Sequence, residues 1–485
     1  MENRYIYLLQ SRTTMDSFLN ATLGAFFTQR LEMRLYDRAE KFTAGSATNG
    51  NLLTYFHEHV HLFQALFTGY GHIQWSTHRQ ATGFTERKWR GLWPAMNGPR
   101  LPLSNCNTNL KVSFAAWQLY LVFLEQSKIA QARYLVNTTT NSIRSLDLLT
   151  LKSDWEINPI IETSSGNKAL CAKEILEGHA HFLERSCAVS VLSFPQLAAE
   201  SREGVSEMYT VAFDWFIKEC GVERREIFPV ICDLALQTSW DPVIPRNEKE
   251  WQSTNPSWRF YHLTKALASL PDLCLGKHHT WQEQYLDFCN SLTDECNLKR
   301  LEIILSERLQ ALQLLEEHPG LSSLQRTMKK AMEYRLKAPW LTVNPIADNQ
   351  ELDLLFKEFR IPAVLVEGRF QAQSPVDEDL SVELIAELHF QALVDQLIGN
   401  ATQLVKESNE LECGFSRYGV PNGCPFQVSG DCIGRFNPKD GLPVSLNLDE
   451  NDVVQGCTFS TIFFSWGIKV EELEVDYSAE FPKFS

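Results

Sequence analysis

The stretch Tyr55-Phe56-His57-Glu58-His59-Val60-His61-Leu62-Phe63 sets three imidazoles and a carboxylate into a run that is otherwise apolar, flanked by Leu52, Leu53, Leu66 and Phe67. Such a run has to be buried, and a buried imidazole or carboxylate is costly unless it is paired or bound to a metal. The length and apolar content predict a buried helix. On a helix, residues four apart lie nearly above one another, so His57 and His61 aim at one point and Glu58 stands about 100° round the axis. His59 lies two residues from each and points to the other side, as a structural residue. The pattern is H-E-x-x-H, in which the two histidines are zinc ligands and the glutamate is the general base of a hydrolase. A catalytic zinc takes three protein ligands and keeps its fourth position for water, so one ligand has to come from elsewhere. The bland alternative is a core helix of hydrogen-bonded histidines.

A second segment offers that ligand. In Lys173-Glu174-Ile175-Leu176-Glu177-Gly178-His179-Ala180-His181-Phe182-Leu183-Glu184-Arg185, the residues Glu174, Glu177, His181 and Glu184 follow steps of three, four and three, one stripe of a helix. In isolation such a stripe is a solvated face paired with Lys173 or Arg185. Set opposite His57 and His61, Glu177 completes a two-histidine, one-glutamate zinc set. The two segments together resemble the gluzincin branch of the zincin metalloproteases, on His57, Glu58, His61 and Glu177. The run Glu177-Gly178-His179-Ala180 also resembles the E-G-x-A helix of many uncharacterised bacterial zincin-like proteins, where the small residues allow close helix approach. The resemblance covers only these two segments. It implies a zincin-like core, one catalytic Zn2+, metal ligands His57, His61 and Glu177, and Glu58 taking a proton from water and passing it to a leaving amine.

The departures from known patterns are informative. Phe67 stands six residues after His61, where a metzincin has its third histidine. The interval from His61 to Glu177 is 116 positions, which implies an inserted helical segment. Glu174, His181 and Glu184 are rivals for the third ligand. His181 is the most serious of them, because it can also serve catalysis as a donor to a developing oxyanion, a role open equally to Arg185 or Tyr209. Glu174 or Glu184 is suited to orient a ligating imidazole.

The rest of the chain sets bounds. Its 485 residues allow two or three domains, and a formal charge of −15 disfavours nucleic acid as a partner. The basic run Arg87-Lys88-Trp89-Arg90, with Arg100, is expected to be solvated. No secretory signal is expected from the N-terminal residues, and no window reaches the apolar length of a membrane span, the longest candidate at Thr461-Ile462-Phe463-Phe464 being strand length. Twelve cysteines without a dense framework fit a cytoplasmic location. Cys413, Cys424, Cys432 and Cys457 are too widely spaced, with no C-x-x-C pair, to make a good second, structural zinc site.

Apolar periodicity predicts helices over Leu110–Val136, Lys168–Leu192, Val205–Lys218, Ile227–Thr238, Trp281–Leu315 and Leu380–Leu404. The expected fold class is therefore mainly α (α+β): a zincin-like catalytic region over 1–340 with large helical insertions, and a smaller α/β accessory region over 341–485. Arg30–Tyr36 alternates as a strand and is expected at a sheet edge, where an extended substrate can add. The function expected is an intracellular zinc metallopeptidase acting on a protein or peptide, controlled by a regulatory protein partner or by narrow specificity. A zinc hydrolase of a non-peptide amide uses the same residues, and a zincin-shaped interaction protein without catalysis is the reading from another class.

Overall fold

A computed structural model of the chain describes residues 24–27, 32–35, 49–75, 100–101, 158–190, 206–238, 248–275, 281–316, 323–343, 355, 358–359, 363–366 and 369–371, with short strands at 411–412, 435–436, 447–448, 454–455 and 474–475. The chain forms two compact units. One comprises Met1–Ser46, Arg79–Trp117 and Ile361–Ser485; the other comprises Ala47–His78 and Gln118–Arg360. The described residues are mainly helical, and no helix among them is long and apolar enough to cross a membrane.

In the first unit, β1 (Gly24–Phe27), β2 (Glu32–Leu35), β5 (Ala363–Val366) and β6 (Arg369–Gln371) form a four-stranded sheet in the order β1-β2-β5-β6. β2 pairs antiparallel with β1 and parallel with β5, with Met33 opposite Val364. The strand expected at Arg30–Tyr36 is thus present, but it lies inside the sheet. Both of its backbone edges are already hydrogen-bonded, so strand addition by a substrate has no place there. The pairing joins segments more than three hundred residues apart, beyond the reach of any local pattern.

The second unit is the helical body. Its described helices include α1 (Asn49–Phe67), followed after a bend at Thr68 by a further helical stretch over 69–75, and α2 (Ala172–Ser190), α3 (Glu207–Cys220), α4 (Phe228–Leu236), α5 (Glu248–Thr254), α6 (Pro256–Ser269), α7 (Trp281–Glu295), α8 (Leu301–Glu316) and α9 (Ser323–Lys337). α1 packs on α2 and α9, α2 on α3 and α4, and α4 on α6. A hairpin, β3 (Ile160–Thr163) and β4 (Gly166–Ala169), leads into α2. Its turn uses Gly166 at φ +114°, a conformation that L side chains rarely adopt, while Thr163 Oγ1 donates to Gly166 O at 2.7 Å. The helix expected from Lys168 therefore starts at Ala172.

The helix expected over Trp281–Leu315 is in fact two. α7 ends in a Schellman turn: Asn297 sits at φ 52°, its N–H donates to Asp294 O at 3.0 Å, and Leu298 N–H donates to Thr293 O at 2.7 Å. Asparagine tolerates the left-handed region, and the buried Leu298 seals the turn. The helices expected at Leu110–Val136 and Leu380–Leu404, the four tail cysteines, Arg87–Arg90 and Thr461–Phe464 lie outside the described residues.

α1 ends at Phe67 because its last carbonyls are taken by side chains from several directions. Thr68 Oγ1 donates to Gln64 O at 2.6 Å, His72 Nε2–H to Leu66 O at 2.7 Å, and Gln237 Nε2–H to Phe67 O at 3.1 Å. The chain then doubles back so closely that a Cβ on Gly71 would lie 2.5 Å from both the Cα and the carbonyl oxygen of Ala65. Backbone cannot yield as a side-chain tip can. Gly71→Ala is expected to destabilise the unit by about 1–3 kcal/mol, checked by urea unfolding; an unchanged midpoint would show that the turn relaxes at no cost.

Gln237 belongs to a buried polar network on α4. Asp233, fully buried, pairs with the equally buried Arg335 of α9 and accepts from Thr342 Oγ1 at 2.9 Å, Gln237 Nε2 at 3.2 Å and Tyr285 Oη at 3.4 Å. Arg308 of α8 reaches Gln237 Oε1 at 2.9 Å and the carbonyl of Thr238. Arg259 covers the carbonyls of Leu234 and Ala235 at 2.7 and 3.1 Å. The C-terminus of α4 is thereby satisfied inside the core, and through Gln237 the end of α1 is tied to it.

Candidate metal centre

The centre lies where α1 crosses α2, wholly inside the helical unit. On α1, Leu53, Phe56 and Val60 face Ala180, Leu183 and Cys187 of α2 to make one apolar cluster. Each such burial is worth about 1.5–3 kcal/mol for a large side chain, and together they fix how closely the two helices lie. One step round each helix from this cluster are His57 and His61 on α1 and Glu177 and Glu184 on α2.

The atoms that meet are acceptors. His57 Nε2 and His61 Nε2 are 3.2 Å apart, and Glu177 Oε2 lies 3.3 Å from the first and 3.4 Å from the second. The far side of each ring shows where the protons are. His57 Nδ1 is 3.1 Å from Glu184 Oε2, and a carboxylate only accepts, so Nδ1 carries a proton. His61 Nδ1 is 2.7 Å from Gln64 Oε1, and the orientation of that amide is settled by its nitrogen, which donates to Leu176 O at 3.0 Å. In neutral rings both Nε2 atoms therefore present lone pairs to each other and to a carboxylate. Such a triangle repels itself unless a proton or a cation occupies it. Among the described residues, His57, His61 and Glu177 form the group of acceptors that could hold a metal ion.

The electrostatics agree. Burial disfavours charge on His57, but hydrogen bonds to Glu177 and Glu184 outweigh it and hold the imidazolium well above the usual histidine range. Burial likewise opposes charge on Glu177, yet the neighbouring His61 and His57 keep its carboxyl well below the usual range. Glu184 is held at about 2, with burial opposed by His181 and His57. Glu58 behaves differently: burial dominates and raises its carboxyl to about 7, against the pull of His57 and His61. Its Oε2 is buried without a hydrogen-bond partner among the described residues. One carboxylate oxygen is thus left unsatisfied close to His57 and His61.

Of the other residues singled out from the sequence, His59 is fully buried on the far side and donates from Nε2 to Phe359 O at 3.1 Å, while burial lowers its pKa to about 3. Glu174 stands apart from the triangle: its carboxylate accepts from the Cys171 N–H at 2.7 Å and pairs with Lys168 at 2.8 Å, closing the N-terminus of α2 as a capping box does. Glu184 is the orienting carboxylate. His181 is outside the acceptor triangle; its Nδ1 lies 3.4 Å from Glu184 Oε2, and its Nε2 is buried and unpartnered among the described residues.

Tyr209 of α3 is at the same place, its ring edge-on to His57 at 5.8 Å and tilted on His181 at 5.7 Å. Burial keeps its phenol protonated by raising its pKa. At Gly178, between α2 and α3, a Cβ would make only ordinary contacts, with the Tyr209 carbonyl at 3.6 Å and Ala212 at 3.6 Å, so the approach of α3 does not depend on the glycine. Gln64 is the site residue that the pattern left unnoticed, and its one sequence signal is its place one turn after His61. No family model, curated protein or solved structure matches this chain.

Proposed function

We propose that this chain is a zinc-dependent hydrolase of amide bonds, a peptidase of zincin type acting in the cytoplasm on a protein or peptide. The observation that carries the reading is the acceptor triangle, with edges of 3.2, 3.3 and 3.4 Å. A tetrahedron of ligands at about 2.0–2.1 Å has edges of about 3.3–3.4 Å, and two imidazoles with one carboxylate are a common catalytic zinc set. Larger, oxygen-seeking cations such as calcium require more oxygen ligands at longer range. The orphaned Oε2 of Glu58 is the second support, since a purely structural site has no use for a free carboxylate beside its ligands.

His57, His61 and Glu177 would hold the ion, with Glu184 and Gln64 keeping the two imidazoles in the ligating tautomer. Zinc held there supplies Lewis acidity, polarising a carbonyl and bringing the pKa of a water toward neutrality. Glu58 would take a proton from the attacking water at Oε2 and return it to the leaving nitrogen. The protonated phenol of Tyr209 is the available donor to meet the negative charge that develops on the carbonyl oxygen; His181, whose Nδ1 faces Glu184, can donate from Nε2 only as the imidazolium.

Elemental mass spectrometry on untagged full-length protein tests the reading. The expected result is about one zinc per chain in the wild type, lost in both His57→Ala and Glu177→Ala. Loss in the histidine variant alone would move the third ligand to another residue. Wild type without zinc after reconstitution would discard the hydrolase in favour of a zincin-shaped interaction protein.

A further inference from the structure

We infer that Gln64 is a positioning residue that fixes the tautomer of His61 and ties α1 to α2 on both sides of the third ligand, an inference that rests on the metal reading above for its functional meaning. The side chain uses both ends at once. Its Oε1 accepts from His61 Nδ1 at 2.7 Å, and its Nε2 donates to Leu176 O at 3.0 Å and to His179 Nδ1 at 3.2 Å. Leu176 directly precedes Glu177, and His179 follows it by two residues. Gln64 therefore leaves α1 one turn beyond a ligand and grips α2 on both sides of another.

The amide is the functional group that satisfies all three partners. A carboxylate would accept from His61 at least as well, and carboxylates are frequent partners of metal-bound imidazoles, but it has no hydrogen to give Leu176 O. At this spot it would face a carbonyl oxygen and a histidine lone pair, in a site where Gln64 is itself 3% exposed. Two acceptors meeting without a proton in a buried place is among the costlier polar arrangements. The carbonyl of Leu176 and the Nδ1 of His179 thus select glutamine over glutamate.

His179 in turn is fixed. Accepting at Nδ1 places its own proton on Nε2, so a single amide sets the proton positions of two rings on two helices. A residue that only filled space, or only polarised His61, would need neither donor contact.

The test uses full-length protein with ¹⁵N-labelled histidine, comparing wild type with Gln64→Glu, Gln64→Ala and Gln64→Met, the last keeping length and packing without polar groups. Zinc affinity is measured by competition with a chromogenic chelator, and imidazole tautomers are read by NMR on metal-free protein. We expect all three variants to lose about 10- to 100-fold in zinc affinity, with His61 of the metal-free wild type protonated at Nδ1 and the Gln64→Met variant showing a mixture. Gln64→Glu binding zinc as tightly as wild type would overturn the requirement for the amide donors. His61 protonated at Nε2 in the metal-free wild type would overturn the tautomer assignment whether or not zinc binds. A wild type with the expected tautomers but no zinc affinity would sink the hydrolase and leave the positioning role standing.

Discussion

Glu58→Gln is expected to lower turnover by about 10²- to 10⁴-fold or more while leaving zinc content at the wild-type level. The substitution keeps the shape of the side chain and removes its capacity to carry a proton between water and leaving group. It does not touch the acceptor triangle, because Glu58 contributes no atom to it. The measurement is cleavage of a mixed peptide library by zinc-loaded protein, read by mass spectrometry, with metal content determined on the same samples. A variant that binds zinc and cleaves as the wild type does would remove Glu58 from the chemistry.

The same variant has a second signature that needs no substrate. Glu58 is 5% exposed and its carboxyl is raised from 4.5 to about 7, chiefly by burial. The folded state thus holds this proton more firmly than the unfolded chain. Its contribution to stability is fully present below 4.5 and is lost as pH rises through about 7. For metal-free protein above that pH the penalty is of the order of 3 kcal/mol. Glutamine carries no such penalty, so metal-free Glu58→Gln is expected to melt above the wild type at pH 8, with the gap closing toward pH 4.5. A gap that stays constant with pH would mean that the carboxylate is not buried in its charged form.

The largest effect on folding is expected from Arg335→Met. Arg335 and Asp233 are both completely buried and paired, and Thr342, Gln237 and Tyr285 complete the shell of Asp233. Removing one partner of such a pair strands the other charge in the core, which costs about 3–5 kcal/mol. Replacing both, as Asp233→Leu with Arg335→Met, exchanges an ion pair for apolar contacts and is expected to recover much of the loss. Urea unfolding of the wild type, both single variants and the double variant measures the coupling. Additive losses would show that the two groups act independently. Because Gln237 links Asp233 to the last carbonyl of α1, Arg335→Met is also expected to loosen the end of the helix that carries His57 and His61.

How far the sequence could be read follows from the range of the forces involved. α1 and α2 were legible because apolar residues at helical spacing have to be buried on one face, and that spacing is a covalent property of the chain. The same rule placed His57 with His61 and sent His59 to the far side. The end of α7 was less visible, since asparagine at 297 is an ordinary surface residue until its neighbours close a Schellman turn. The hairpin before α2 was hard to see because its second strand, Gly166–Ala169, is made of small and polar residues whose strand character comes from pairing with Ile160–Thr163. β2 was visible as a strand, but its place inside a sheet depends on β5, far away in the chain.

For the candidate site, the sequence alone determined that two imidazoles share a helix face, that a carboxylate stands beside them, and that an acidic stripe lies on a later helix. Spacing by itself could not choose among Glu174, Glu177, His181 and Glu184, since all four obey the same helical stripe, and only a resemblance singled out Glu177. Tertiary structure made that choice. The apolar contacts of Leu53, Phe56 and Val60 with Ala180, Leu183 and Cys187 set one register between α1 and α2, and in that register Glu177 meets the Nε2 atoms, Glu184 meets a Nδ1, and Glu174 is left to cap its own helix. Spacing along one helix is fixed by bonds, whereas the distance between two helices is fixed by how their side chains interlock, and only the folded chain contains that information.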